Sequence, residues 1–336
     1  MSRIISASLI TTMLNEAGSI GAFLDSVAAQ SAVPAEVVIV DGGSQDGTAD
    51  IARAWAPPEG CSVNVLVVPG AGISEGRNKA IDVARHERIL VTDAGTELDP
   101  HWVETIHDGF NASTDVGVVS GFFHPTGETL IQRAIAFTIT PRLGEIDPNT
   151  FLPSSRSVAF TKSAWAAAGG YPEWLDYCED LIFDLALREV GARFVFRPDA
   201  DVSWSARATI RSFMKQYYRY ARGDGKAGLF RRRHIARYTA YAAGVALALA
   251  SVRRPWAAAL IAVGAVGYLR RFWMRIAARR RSFGHGSAMA LVLVPMIVIA
   301  GDLAKMAGYP VGVRWRRRSQ ASNGASAAEG GTDGVS

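Results

Sequence analysis

Val37-Val38-Ile39-Val40-Asp41-Gly42-Gly43-Ser44 sets four consecutive β-branched residues against an acid and a glycine turn. A run of this kind reads as a strand buried on both faces, the pattern of a parallel sheet covered by helices on either side. Ile89-Leu90-Val91 repeats the arrangement and stops at Thr92-Asp93-Ala94-Gly95. Upstream, Ile4 to Met13 reads as a first buried strand running into Asn15-Glu16. Between the strands lie two helix-like stretches, Ile20 to Gln30 and Thr48 to Trp55, the second opened by Asp46-Gly47-Thr48 as a capping signal. This alternation predicts an α/β fold with a doubly wound, mainly parallel sheet. Ligands of such sheets sit beyond the carboxyl ends of the strands, where Asp41 and Asp93 both fall.

Charge divides the 336 residues sharply. Residues 1–206 carry 13 Lys/Arg against 27 Asp/Glu, whereas residues 207–318 carry 23 against only Asp224 and Asp302. The basic half also holds three apolar stretches, Ala236 to Val252, Pro255 to Leu269 and Ser287 to Ala307. A basic, apolar segment suits an anionic membrane surface, and the apolar content between the basic clusters argues against nucleic acid as the partner. The third stretch is long enough to span a bilayer, and the first two reach about 20 residues with their flanks. Arginines flank every connection, so the distribution of positive charge selects no single topology.

Ahead of these stretches, Ile210, Phe213, Met214, Tyr217 and Ala221 follow helical spacing while Arg207, Arg211, Lys215, Arg219 and Arg222 take other positions. That is a basic amphipathic helix of the kind that lies in a membrane interface. Cys61 and Cys178 are the two cysteines, which gives no disulfide framework and suits a reducing cytosol. The N-terminal apolar stretch lacks a small-residue cleavage site, so it reads as a strand and not as a signal peptide. The expected organisation is a cytoplasmic domain over 1–205, an interface helix and loop over 206–230, a membrane region of two to three helices over 231–310, and a basic then disordered tail over 311–336, placing the protein at the cell membrane.

Neither Gly-x-x-x-x-Gly-Lys-Ser/Thr nor a Gly-x-Gly-x-x-Gly after the first strand is present, so those phosphate loops are excluded. The motifs that do occur are Thr12 to Glu16, Val40 to Thr48, Gly76-Arg77-Asn78-Lys79-Ala80-Ile81, Thr92-Asp93-Ala94-Gly95, Gly169-Gly170-Tyr171 and Glu179-Asp180. Their order and spacing over residues 4–225 resemble the family 2 glycosyltransferases of GT-A fold. The resemblance implies a nucleotide-diphosphate sugar donor, with Thr12 and Asp41 bordering the nucleoside, Glu16 among the substrate-binding residues, Arg77 supporting the nucleotide side, and Asp93 at the divalent cation, Mg²⁺ or Mn²⁺, and the diphosphate. It implies Asp180 as the general base for the acceptor hydroxyl, with Glu179 and the apolar Leu181 and Ile182 raising its pKa. Arg156, in Ser154-Ser155-Arg156-Ser157, falls in the segment where an acceptor pocket is expected. Gln216, Arg219 and Tyr220 are similar to the Gln-x-x-Arg-Trp motif of the family's membrane-bound synthases, with Tyr in place of Trp.

Two positions depart from the family pattern: Gly95 replaces the second Asp of Asp-x-Asp, and Gly42 replaces the second acid after Val40. Protein ligands for a cation are therefore few, which Mg²⁺ tolerates because it keeps waters and phosphate oxygens. The expected activity is an inverting hexosyl transfer to a saccharide or lipid-linked acceptor. The competing readings are a membrane-bound nucleotidyl- or phosphoglycosyl-transferase and a non-catalytic scaffold on anionic lipid.

Overall fold

The computed structural model describes residues 3–329. Two compact units divide them: Pro141–Ser205 joins the chain up to Thr126 in the first, and Gly127–Thr140 joins the chain from Ala206 onward in the second. The elements, in chain order, are β1 (Arg3–Met13), α1 (Ile20–Ala28), β2 (Ala32–Asp41), α2 (Thr48–Ala54), β3 (Ser62–Val67), α3 (Ile73–Val83), β4 (Arg88–Val91), β5 (Thr96–Leu98), α4 (Trp102–Asp108), β6 (Val116–Thr126), α5 (Leu130–Ile139), β7 (Val158–Thr161), α6 (Lys162–Ala167), α7 (Glu179–Glu189) and β8 (Arg193–Ser205). Four further helices follow: α8 (Ile210–Ala227), α9 (Arg231–Ser251), α10 (Pro255–Ala278) and α11 (Ser287–Glu329).

The first unit holds an eight-stranded sheet of order β3-β2-β1-β4-β7-β6-β8-β5. Pairings among β1 to β4 and between β6 and β8 are parallel, while β7 runs antiparallel to both neighbours and β5 antiparallel to β8. The sheet is thus mainly parallel, with antiparallel insertions that the α/β alternation did not reveal. Period-two geometry explains the unbroken apolar runs. Val37 and Ile39 of β2 enter one core with Leu9 and Leu90, under α1 and α4 through Phe23, Leu24, Trp102 and Ile106. Val38 and Val40 enter another with Ile10, Ile89 and Val91, under α3 and α7 through Ile81, Phe183 and Leu187. Each such side chain taken fully out of water contributes roughly 1.5–3 kcal/mol, so a register slip of β2 is strongly disfavoured.

Capping of α2 differs in detail from the sequence reading. Gly47 occupies the N-cap with φ 89°, in the left-handed region, and the Asp46 carboxylate before it accepts the Thr48 N–H at 3.1 Å. The same carboxylate accepts the Ala17 N–H at 3.1 Å, tying the β1–α1 loop to the start of α2.

In the second unit, α8 opens on a capping box in which Thr209 and Ser212 each accept the other's backbone N–H. Its partner along its length is α11, and the seam is glycine-lined. A Cβ at Gly308 would come within 2.1 Å of Tyr218 O, and one at Gly312 within 2.0 Å of Arg222 O. The helices approach backbone to backbone, and Gly308-x-x-x-Gly312 is the small-residue spacing that permits it. One buried carboxylate joins three helices: Asp302 of α11 accepts from Arg237 Nε (2.8 Å) and Tyr241 Oη (3.2 Å) on α9, and from Tyr268 Oη (2.7 Å) on α10.

Two helical stretches, Pro255–Ala278 and Arg280–Ala321, are long and apolar enough to cross a membrane. Val263 and Val266 of α10 and Val292 of α11 are exposed within them, so these faces have no protein cover among the described residues. Helix α11 continues to Glu329, through the stretch from Gln320 that the sequence led us to expect disordered. Residues 330–336 of the expected tail lie outside the described residues.

Candidate active site

Parallel register brings the ends of the early strands to one edge. Thr12 pairs with Val40 and Met13 with Asp41, while Ile10 pairs with Val91, two residues before Asp93. The Asp41 carboxylate is buried and turned back on its own loop, accepting the Ser44 N–H at 3.0 Å and the Ser44 hydroxyl. Its neighbour Gly42 is closely packed: a Cβ there would lie 3.1 Å from Ala71 O, so a side chain would require that backbone to give by a few tenths of an ångström. Glu16 donates its N–H to Thr48 Oγ1 at 2.8 Å and accepts the Ser19 hydroxyl. A Cβ on Gly95 would lie 3.9 Å from Glu16 Oε2, so an aspartate there would face a carboxylate directly. Gly42 thus sits in a tight spot and Gly95 beside a carboxylate.

Four charged side chains converge beside this edge. Arg77, on α3 and 2% exposed, donates from Nη2 to Asp93 Oδ1 at 2.9 Å and from Nη1 to Glu179 Oε1 at 3.0 Å. Its guanidinium lies 5.2 Å from the centre of the Tyr171 ring. Arg156 approaches the other Asp93 oxygen, Nε to Oδ2 3.7 Å, from above the rings of Trp204 (4.7 Å) and Phe123 (5.7 Å). Asp93, Arg77, Glu179 and Arg156 form one network, whereas Asp41 and Glu16 are engaged in their own loops.

Helix α7 carries the acidic pair. Its N-cap, Cys178, sits at φ 67°, a left-handed conformation that costs a non-glycine residue energy and recurs at functional sites. Glu179 is buried and turned to Arg77, while Asp180 is half-buried and accepts the Leu181 N–H at 2.8 Å. Burial pushes the Glu179 carboxyl up to about 7, the adjacent Asp180 adds to the shift, and Arg77 opposes it. For Arg77 burial acts to lower the pKa, but Asp93, Tyr171 and Glu179 outweigh it and hold the guanidinium charged.

Sequence reasoning missed two members of this neighbourhood. Asp184, one turn beyond Asp180, is buried with Oδ2 lacking a hydrogen-bond partner, and burial raises its carboxyl well above the usual range, Asp180 adding to it. The i, i+4 spacing of the two acids was the available signal. Asn78 is the pin of the Gly169-Gly170-Tyr171 loop: Nδ2 donates to Tyr171 O and Glu173 Oε1, both at 2.9 Å, and Oδ1 accepts the Tyr171 N–H at 2.9 Å. Its place directly after Arg77 was visible, but its partners more than 90 residues on were not.

A divalent cation would find few protein ligands at this site. Among the described residues no three His, Cys, Asp or Glu side chains converge into a protein cage. Asp93 has Oδ1 committed to buried Arg77 and Oδ2 at the partly exposed side, so one carboxylate oxygen would hold a hard cation whose other positions fall to phosphate and water.

In the helical unit, Gln216 is buried on α8; its Nε2 donates to Tyr220 Oη at 2.6 Å and its Oε1 accepts from Arg207 Nε at 3.4 Å. Tyr220 is thus bound to Gln216 one turn away, and Arg219 beside it is half-buried.

Residues 8–164, from β1 into α6, match the family model described as Glycosyl transferase family 2. The chain carries a family 2 glycosyltransferase domain. The chain is similar to the succinoglycan biosynthesis protein ExoA of Rhizobium meliloti, 28% identical over 66% of this chain and 69% of that protein. It also resembles the glycosyltransferase AglE of Haloferax volcanii, 25% identical over 70% of this chain and 78% of the relative. A PGL/p-HBAD biosynthesis glycosyltransferase of Mycobacterium bovis is 36% identical, but over 27% of this chain and 36% of its own length. Among solved structures, the mannosyltransferase PcManGT of Pyrobaculum calidifontis, in complex with GDP-Man and Mn²⁺, superposes with a TM-score of 0.58 at 21% identity, covering 87% of this chain and 86% of that one. That likeness establishes the GT-A fold, and the chain is a glycosyltransferase.

Proposed function

We propose that the chain transfers a sugar from a nucleotide-diphosphate donor, with inversion, to a saccharide or lipid-linked acceptor at the cytoplasmic face of the cell membrane. The observation that carries the reading is the Asp93–Arg77–Glu179 network at the strand edge, with Asp180 beside it at the start of α7. The acceptor oxygen attacks the anomeric carbon as the bond from that carbon to the diphosphate breaks. The electron pair leaves with the diphosphate, and the hydroxyl proton passes to Asp180. A divalent cation, Mg²⁺ or Mn²⁺, held by Asp93 would neutralise the charge that develops on the leaving diphosphate. Arg156, held over two aromatic rings, supplies a second positive charge on the open side of Asp93. Thr12, Glu16 and Asp41 shape the nucleoside side, and Asp41 does so by fixing its loop.

The exposed apolar faces of α10 and α11 support membrane insertion, which brings a lipid-linked acceptor within reach. Gln216, Arg219 and Tyr220 are assigned to the reaction by resemblance, and reduced turnover in Arg219→Lys with unchanged membrane attachment would support that assignment. The deciding experiment is a screen of nucleotide sugars against the full chain in detergent with Mn²⁺, beginning with GDP-mannose, the sugar nucleotide in the PcManGT structure. Release of nucleoside diphosphate from one donor is expected; release of nucleoside monophosphate or pyrophosphate would mean phosphoglycosyl or nucleotidyl transfer instead.

A further inference from the structure

Arg77 is placed by the family resemblance on the nucleotide, yet its geometry is that of an internal strut. The residue is 2% exposed, both terminal nitrogens are committed to carboxylates on different elements, and the plane is covered by Tyr171. One carboxylate, Asp93, lies just past the end of β4; the other, Glu179, is the first residue of α7 and the immediate neighbour of Asp180. The start of α7 also needs holding, because Cys178 turns into the helix through a left-handed conformation. A buried ion pair whose partner is removed leaves an uncompensated charge, so this two-sided pair has one favourable arrangement and strongly resists others.

We propose that Arg77 is a positioning residue that ties Asp93 to the start of α7 through Glu179, so that the placement of Asp180 depends on Asp93. The role rests on the glycosyl-transfer reading for its catalytic consequence, but not for its mechanical one. Lysine in place of Arg77 keeps the charge and reaches one carboxylate at a time. Glu179→Gln keeps the shape and removes the charge from one end.

Two measurements on the full chain in detergent test the tie. The first is the rate at which Cys178, half-exposed at the N-cap of α7, reacts with a thiol reagent in a Cys61→Ser background. Asp93→Asn, on a different element, is expected to speed this labelling at least fivefold, as are Arg77→Lys and Glu179→Gln. An unchanged rate in Asp93→Asn overturns the tie whatever the chain catalyses.

The second measurement is donor affinity and saturated turnover, with the sugar nucleotide that wild-type protein cleaves as the probe. Turnover is expected to fall 10- to 100-fold in Arg77→Lys and in Glu179→Gln, with donor affinity within threefold. The double variant should fall no further than the worse single one, since both changes break the same link. Tenfold weaker donor binding with intact turnover in Arg77→Lys would make Arg77 a donor contact, and losses that multiply would make the two residues independent; either overturns the proposal. Should Arg77→Lys fail to fold, wild-type turnover in Glu179→Gln has the same force. Wild-type protein that cleaves no donor, with labelling accelerated as expected, would instead fault the functional reading and leave the strut in place.

Discussion

Asp184 sits inside α7 with a buried carboxyl whose Oδ2 has no hydrogen-bond partner among the described residues, and burial favours its neutral form, the nearby Asp180 adding to that. Its folded pKa is raised above the usual 3.8 by burial, so the stability it contributes is complete below about 3.8 and is lost as the pH rises through the folded value. Glu179 adds a loss of the same sign between its ordinary 4.5 and about 7. Asp184→Asn keeps the shape without the titration. The melting temperature of that variant minus that of wild type should grow as the pH goes from 5 to 8, and a difference that shrinks would mean Asp184 is charged and paired. The acids at strand ends were legible in the sequence because each terminates an apolar run. Their partners were not, since Arg77 meets Glu179 across 102 positions and Arg156 finds its aromatic rings on β6 and β8. The two glycine departures were visible as letters, but the closeness of Ala71 O to one and of the Glu16 carboxylate to the other was not.

At the scale of elements, β1, β2 and β4 followed from apolar runs bounded by turns, and α1 and α2 from the helix-like stretches between them, the second marked by its capping signal. The antiparallel β7 and the edge strand β5 did not: β5 has three residues, and β7, though as long as β4, ends in no acid-and-glycine turn that would mark it as a strand. In the helical unit the apolar stretches located α9 to α11, but the continuation of α11 beyond Ala307 was hidden by Pro310, which removes a backbone donor, and by the basic, polar residues that follow it. The mating of α8 to α11 had a signal, the four-residue glycine spacing at Gly308 and Gly312, that was not used. Gly312→Val places a branched side chain where a single Cβ already comes within 2.0 Å of a backbone oxygen. It should lower the stability of the helical unit in detergent by about 1–3 kcal/mol or more, the usual cost of overpacking. Gly264→Ala on α10, where nothing lies within 4 Å, serves as the control. Equal melting of the two variants would show that the α8–α11 seam is looser than its geometry states.

Across the whole molecule the charge division and the exposed apolar helices bear on the proposed membrane attachment, which would be hydrophobic first and electrostatic second. Each basic residue near an anionic surface contributes about 1 kcal/mol, and salt screens that term, whereas inserted apolar helices are indifferent to it. Full-length protein should stay with membranes in 1 M salt, where the screening length is about 3 Å, and leave only in detergent. Extraction by salt alone would mean that α10 and α11 are not inserted. The central claim concerns chemistry, and one comparison reaches it most directly: donor affinity and turnover of Asp180→Asn beside wild type, with the sugar nucleotide that wild type cleaves. A general base contributes about 10²–10⁴-fold, so the account expects turnover to fall by that factor while donor affinity stays within threefold. Turnover at the wild-type rate, or loss of donor binding in step with turnover, would contradict it.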